Sequence, residues 1–321
     1  MFAKSTLASA VAAAIGASAV GIQTAQADSV FFPYLALSET VASVVSVVNT
    51  GQAANELHYR LYYKSKAAAE DKAAPCVEFD VRRPTSPNDI QTFDVSGKFG
   101  SETQGVLFND PGINNDWGTA TFAFAATQLP ARAYLLVDDN DSSTGEDTLS
   151  GEVFVFEYGS GAAWGYQAYS NDATNYNYSG YASEYGAQVN LLPFDEFETA
   201  FFVTPVGVDM APNGTSSLEA TIWLGSAGTT EVYDRDENPI SGALPVNVVC
   251  VGRVDVEDLL SPITYDTLEP TGGWAQVYNE GSAAAGGTGA VVIKLEYNMG
   301  DTFNGEPVGG TYNNAEMIAP M

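Results

Sequence analysis

The chain has 321 residues, 40 Asp and Glu against 12 Lys and Arg, and a formal net charge of −28. That charge works against nucleic acid and anionic membrane surfaces, both of which repel it, and favours solubility and cation binding. Only 16% of residues are charged, so neutral Asn, Ser, Thr, Gly and Tyr fill much of the surface. This suits a secreted protein that contacts carbohydrate or other copies of itself.

Residues 1–27 read as a secretory signal peptide. Lys4 supplies the positive n-region, an Ala/Gly/Val-rich run follows, and Ala25–Ala27 is a small-residue cleavage site. No Cys follows it, which argues against a lipid anchor. The mature chain is expected to begin at Asp28, with no membrane insertion after cleavage. The expected destination is secreted or cell-surface, with the periplasm as a further oxidising compartment. Cys76 and Cys250 can pair there. A loop of that size is worth about 5 kcal/mol in the chain-entropy picture.

The most apolar stretch of the mature chain is Val30–Gly51. Tyr34, Ser38, Glu39, Thr40, Ser43 and Ser46 leave no span of membrane length. The β-branched density of Val41–Val48 marks a strand, apolar on both faces. It is either an inner strand of its own sandwich or a strand donated to a neighbour's sheet. After a turn at Asn49–Gly51, Leu57, Tyr59, Leu61 and Tyr63 alternate with His58, Arg60, Tyr62 and Lys64. That period of two predicts a half-exposed strand.

The same grammar recurs in WGTATFAFAA, ARAYLLVDD, GEVFVFEYG, TAFFVTPV, SLEATIWLG, TEVYDRDENPI, PVNVVCVG, GGWAQVYN and GAVVIKLEYN. About eleven short strands predict an all-β, antiparallel sandwich, Ig-like or jelly-roll-like. Residues 28–321 form one domain or two tightly coupled β subdomains. Helices are few: Lys64–Ala74 reads as helix or loop, and Asp255–Ser261 as one or two turns. No fixed-period repeat supports a propeller. Irregular segment lengths argue against an outer-membrane barrel.

Two stretches are candidate sites. Tyr158–Gly186 carries Trp164, Tyr166, Tyr169, Tyr176, Tyr178 and Tyr181 among Asn and small residues. Such rings stack on sugars or pack back on the sandwich edge. Val137–Glu152 concentrates carboxylates, and Asp138, Asp139, Asp141 and Asp147 could supply oxygen ligands to Ca²⁺. It is not an EF-hand, because no Gly stands at the sixth position, and a solvated hairpin loop explains the cluster as well. Tyr233–Gly242 reads as a hairpin turn.

No catalytic signature stands out. His58 is the only histidine, no G-x-S-x-G occurs, and two distant cysteines make no zinc site. The sequence therefore points to an exported, non-catalytic β protein with a structural or adhesive role at the cell surface or in the extracellular matrix. The alternative is a glycan-binding module built on residues 158–186, with Ca²⁺ as its one candidate cofactor.

Overall fold

The computed structural model describes residues 28–38, 40–51, 55–95, 105–109, 120–123, 130–139, 148–157, 163–171, 176–210, 218–225, 229–298, 302–303, 306–307 and 313–318. The signal-peptide segment, Asp141 and Asp147 lie outside them.

The first half runs β1 (Ser29–Leu37), β2 (Val41–Asn49), β3 (Asn55–Lys64), β4 (Val77–Thr85), β5 (Asp89–Asp94), β6 (Gly105–Asn109), β7 (Ala120–Ala123), β8 (Ala131–Asp139), β9 (Leu149–Glu157), β10 (Ala163–Gln167) and β11 (Tyr169–Asn171). The second half runs β12 (Ala187–Leu191), β13 (Glu198–Gly207), β14 (Glu219–Gly225), β15 (Glu231–Asp234), β16 (Pro239–Ser241), β17 (Val246–Val249) and β18 (Gly252–Asp255). Helices α1 (Val256–Leu259) and α2 (Pro262–Leu268) follow. The chain closes with β19 (Gly273–Gly281), β20 (Gly287–Tyr297), β21 (Thr302–Phe303), β22 (Glu306–Pro307) and β23 (Asn313–Met317). The fold is all-β and antiparallel. Its strands outnumber the eleven that the sequence marks, because short edge strands such as β10, β11 and β16 carry too little periodicity to register.

Four sheets account for nearly all of them. Sheet I has the order β10-β9-β2-β5-β6-β7, and sheet II the order β11-β1-β8-β3-β4. Sheet III is β18-β13-β20-β23. Sheet IV is β16-β15-β19-β14-β17, with β12 on the other side of β19. Sheets I and II face each other: Tyr59 of β3 meets Phe93 of β5 edge-on at 5.4 Å. Sheets III and IV enclose a second core of Phe201, Val203, Ile222, Leu224, Val277 and Val292.

Sheets II and III then pack back to back. Tyr34 of β1 stacks on Phe202 of β13, with centroids 4.1 Å apart and planes within 10°. The Tyr134 hydroxyl donates to the Met210 carbonyl at 3.0 Å, and the Thr204 hydroxyl donates to the Pro33 carbonyl. Cys76 and Cys250 form a disulfide across the same seam.

The stacking order explains the opening stretch. β1 and β13 lie in the two inner sheets and are buried on both faces, so both faces of the sequence are apolar. β1 is hydrogen-bonded on both sides by its own chain, to β8 and β11, and β2 likewise to β5 and β9. The stretch is thus an intramolecular pair of strands in different sheets. A one-residue bulge between Phe32 and Leu35 moves Tyr34 to the seam side that Phe31 already occupies.

One expectation is corrected. β3 is not half-exposed: His58 is 7%, Tyr62 0% and Lys64 1% exposed. Its polar face lies under the seam, where most polar groups find hydrogen-bond partners, while Arg60 Nε is ion-paired to Glu78 at 3.4 Å without a hydrogen bond. The Tyr62 hydroxyl donates to Glu78 at 2.8 Å. The Lys64 ammonium donates to the Asp71 and Lys72 carbonyls at 2.9 and 3.1 Å. Those two bonds fold residues 65–74 into turns rather than a helix. α1 matches the expected short helix, with the Asp258 carboxylate accepting from the Asp255 amide at 3.0 Å.

Candidate functional site: the outer face of sheet IV

Strands of sheet IV alternate between the core and the outside. In β19, Ala275 and Val277 point inward, so Trp274, Gln276 and Tyr278 share the outer face. In β14, Ile222 and Leu224 are core residues, which places Trp223 outside. In β15, Val232 is inside and Tyr233 outside. The register then assembles the face. Tyr233 pairs with Trp274, Trp223 with Tyr278, Gln188 of β12 with Gln276, and Asn190 with Trp274.

The rings form two stacked pairs. Tyr233 and Trp274 lie 4.2 Å apart with planes 7° from parallel. Trp223 and Tyr278 lie 5.5 Å apart at 8°. Tyr185 meets Tyr278 edge-on at 4.5 Å and is 55% exposed. Four residues of strand separate Trp274 from Tyr278, about 13 Å at 3.3 Å per residue. Between the pairs stand Gln276 and the exposed Gln188.

Two glycines shape the face. Gly186, at φ +78°, crosses the Tyr278 ring, and a Cβ there would sit 3.2 Å from it in a backbone conformation that L side chains rarely adopt. Gly225 admits the Thr229 carbonyl, 2.5 Å from where its Cβ would be. A side chain at Gly225 would collide with that carbonyl.

These five aromatics lie outside both core clusters; Trp223, Tyr233 and Trp274 are half-buried, and Tyr278, 4% exposed, is covered by Tyr185 and Gly186. Solvent-side positions of an outer sheet are ordinarily polar. Here they carry two tryptophans and three tyrosines, with amides beside them. Flat rings offer apolar faces, and Gln and Asn supply both donors and acceptors. The set can hold a ligand with apolar C–H faces and a hydroxyl rim.

The residues singled out in the sequence go elsewhere. Tyr178 is wholly buried, its hydroxyl 2.8 Å from that of Ser29. Tyr166 is 7% exposed and both accepts from the Tyr34 amide and donates to the Tyr34 carbonyl. Burial raises both phenols well above their ordinary pKa. Tyr169 stacks on Tyr181 at 4.6 Å, and burial pushes its hydroxyl up to about 12. The Tyr181 hydroxyl donates to the Ser170 carbonyl. Tyr176 donates to Asp138 at 2.9 Å, under the Arg60 guanidinium. Trp164 lines a cavity at the seam. These rings fasten the segment to sheets I and II.

Asp138 is engaged by Tyr176 and lies 3.6 Å from His58 Nδ1. Burial holds its carboxyl above the usual pKa, against the Tyr176 bond and the nearby cations. Asp139 is 7% exposed. Among the described residues, no cluster of three or more His, Cys, Asp or Glu could hold a metal ion. His58 Nε2 lies 3.0 Å from Asp80, so the histidine is wedged between two carboxylates.

A sequence signal for the sheet IV face existed. In SLEATIWLG and GGWAQVYNE, aromatic and amide residues occupy the positions of the polar register. Weighting alternation by which aromatics fall on the polar side would have found Trp223, Trp274 and Tyr278.

No protein-family model matches the chain, and no curated protein matches it. A solved crystal structure described as "a putative secreted protein" from Parabacteroides distasonis aligns over 92% of this chain and 83% of its own, at 11% identity and a TM-score of 0.17. A likeness that slight carries no argument. Among the described residues no helix is long and apolar enough to cross a membrane.

Proposed function

We propose that this is an exported, non-catalytic protein that adheres to a neutral polysaccharide through the outer face of sheet IV. The observation that carries the reading is the pair of stacked ring sets, Tyr233/Trp274 and Trp223/Tyr278, outside both cores and flanked by Gln188, Gln276 and Asn190. Tyr185 is exposed, Trp223, Tyr233 and Trp274 are half-buried and Tyr278 is buried beneath them, and partly exposed aromatic sets with polar neighbours mark contact surfaces. The charge of −28 selects against sulfated or uronic-acid polymers, which it would repel.

The disulfide supports export, since such bonds persist in oxidising compartments. It also ties up both cysteines, so neither is a free thiol. The test is affinity electrophoresis and titration calorimetry against neutral and acidic glycans. Retardation by a neutral glycan is expected, and Trp223→Ala and Trp274→Ala should each weaken it about tenfold or more, as for central aromatic anchors. Retention unaffected by both substitutions would place the contact elsewhere.

A further inference from the structure

A half-open cavity of about 280 Å³ lies where β2, β9 and β10 of sheet I meet the seam between sheets II and III, distinct from the sheet IV face. We infer that it binds a small aromatic monocarboxylic acid.

The walls are apolar and flat. Trp164, Tyr34 and Phe202 lie near-parallel, Trp164 5.9 Å from Phe202 at 16° and 6.5 Å from Tyr34 at 25°. Val41, Val155 and Leu295 complete the apolar part. Parallel rings make a slab on which another flat ring stacks. The volume is just under the span of about 300–1,000 Å³ usual for ligand pockets. It suits one ring with a short tail.

One pole of the cavity is made of donors. Arg132 and Arg253 both line it, two of only six arginines in the chain. Arg132 spends Nε on the Ala69 carbonyl, Nη1 on the Tyr34 hydroxyl and Nη2 on Glu70. Arg253 spends Nε on Asp255 and Nη2 on Glu198. A guanidinium carries five N–H donors, so among the described residues each retains donors beyond these bonds. The Tyr34 hydroxyl, which accepts from Arg132, keeps its own proton to give. Such a pole fits a planar acceptor, and a carboxylate matches the guanidinium fork. Glu157 also lines the cavity and disfavours a second negative charge on the ligand. The carboxylates already paired to the arginines hold them in place without filling the space.

The probe is trans-cinnamate, titrated into the disulfide-bonded mature protein and followed by calorimetry and tryptophan fluorescence. Cinnamamide and hexanoate are titrated in parallel. Saturable 1:1 binding of cinnamate is expected. Cinnamamide should bind about tenfold or more weaker, because it forfeits the charge-assisted bonds. Hexanoate should also bind weaker, because it cannot stack.

Arg253→Gln should weaken cinnamate about tenfold, and Ala36→Phe, which fills the cavity, should abolish binding. Arg253→Gln keeps the test alive if Ala36→Phe does not fold. The inference is overturned if cinnamate shows no saturation below about 10 mM, a strength of under 3 kcal/mol. It is equally overturned if amide and acid bind alike, if hexanoate matches cinnamate, or if folded variants bind as the parent does.

Discussion

Tyr34 and Phe202 stack at 4.1 Å although 168 positions separate them and they belong to different sheet pairs. The contact exists because the bulge at Pro33 turns Tyr34 toward the seam. Phe202 faces the first core rather than the second, and is 8% exposed. Its removal should therefore loosen both halves at once. Phe202→Ala is expected to cost about 3–5 kcal/mol, the usual range for a buried Phe. Urea unfolding followed by both near- and far-UV circular dichroism should show one earlier, single transition. Two separated transitions would mean that the halves fold independently.

The Cys76–Cys250 bond spans the same seam over a sequence separation of 174. A double Cys→Ser variant should lose about 2–5 kcal/mol. Reducing agent should shift the parent by a similar amount and leave the variant unmoved. A parent insensitive to reductant would show the bond is not formed in solution.

Much of this fold was written in local pattern. The both-face apolarity of β1 and β13 reports an inner layer, and the alternation of β9, β14 and β19 reports outer ones; β2 misleads, because Val41–Val48 reads as apolar on both faces yet lies in outer sheet I with Val44, Ser46 and Val48 only half-buried. β3 misleads, because His58, Arg60, Tyr62 and Lys64 look solvated; His58, Tyr62 and Lys64 bond instead to Asp80, Glu78 and the Asp71 and Lys72 carbonyls, and Arg60 is ion-paired to Glu78. No local rule announces that a second sandwich will cover a polar face. In the tyrosine-rich segment, Tyr166 and Tyr178 are buried while Trp164, Tyr169, Tyr176 and Tyr181 are half-buried. Composition cannot say whether a ring points outward, and Tyr166 and Tyr178 spend their hydroxyls inside. The sheet IV face needed register, since Trp223 and Tyr278 are 55 positions apart and become neighbours only through β14–β19 pairing.

Alkaline pH should act in two opposed steps. Burial holds the Lys64 ammonium down to about 8, against an unfolded value of about 10.4. The unfolded chain thus binds the extra proton between those values, and stability from this group rises with pH across that window. The buried phenols of Tyr59, Tyr62, Tyr166 and Tyr178 are shifted upward. They stay neutral when folded and ionise near pH 10 when unfolded. Their contribution is full below about pH 10 and is lost as pH rises beyond it. Thermal melts should show a shallow rise, then a steep fall that coincides with delayed tyrosinate absorbance. Lys64→Met should remove the rise and keep the fall. A melting temperature that falls steadily from pH 8 would contradict the Lys64 assignment.

Stability and binding should separate between the two groups of rings. Tyr178→Phe removes a buried hydroxyl contact with Ser29, so it should cost about 0.5–1.5 kcal/mol and leave glycan affinity unchanged. Trp274→Ala removes a ring that neither core contains. Its stability cost should combine the lost stacking on Tyr233, about 0.5–1.5 kcal/mol, with the loss of its half-buried area, while affinity for a neutral polysaccharide falls about tenfold or more. Melting temperature and calorimetric affinity, measured on the same preparations, give the comparison. A Tyr178 variant that lost affinity while Trp274→Ala kept it would return the contact surface to the segment 158–186 and remove the case for sheet IV.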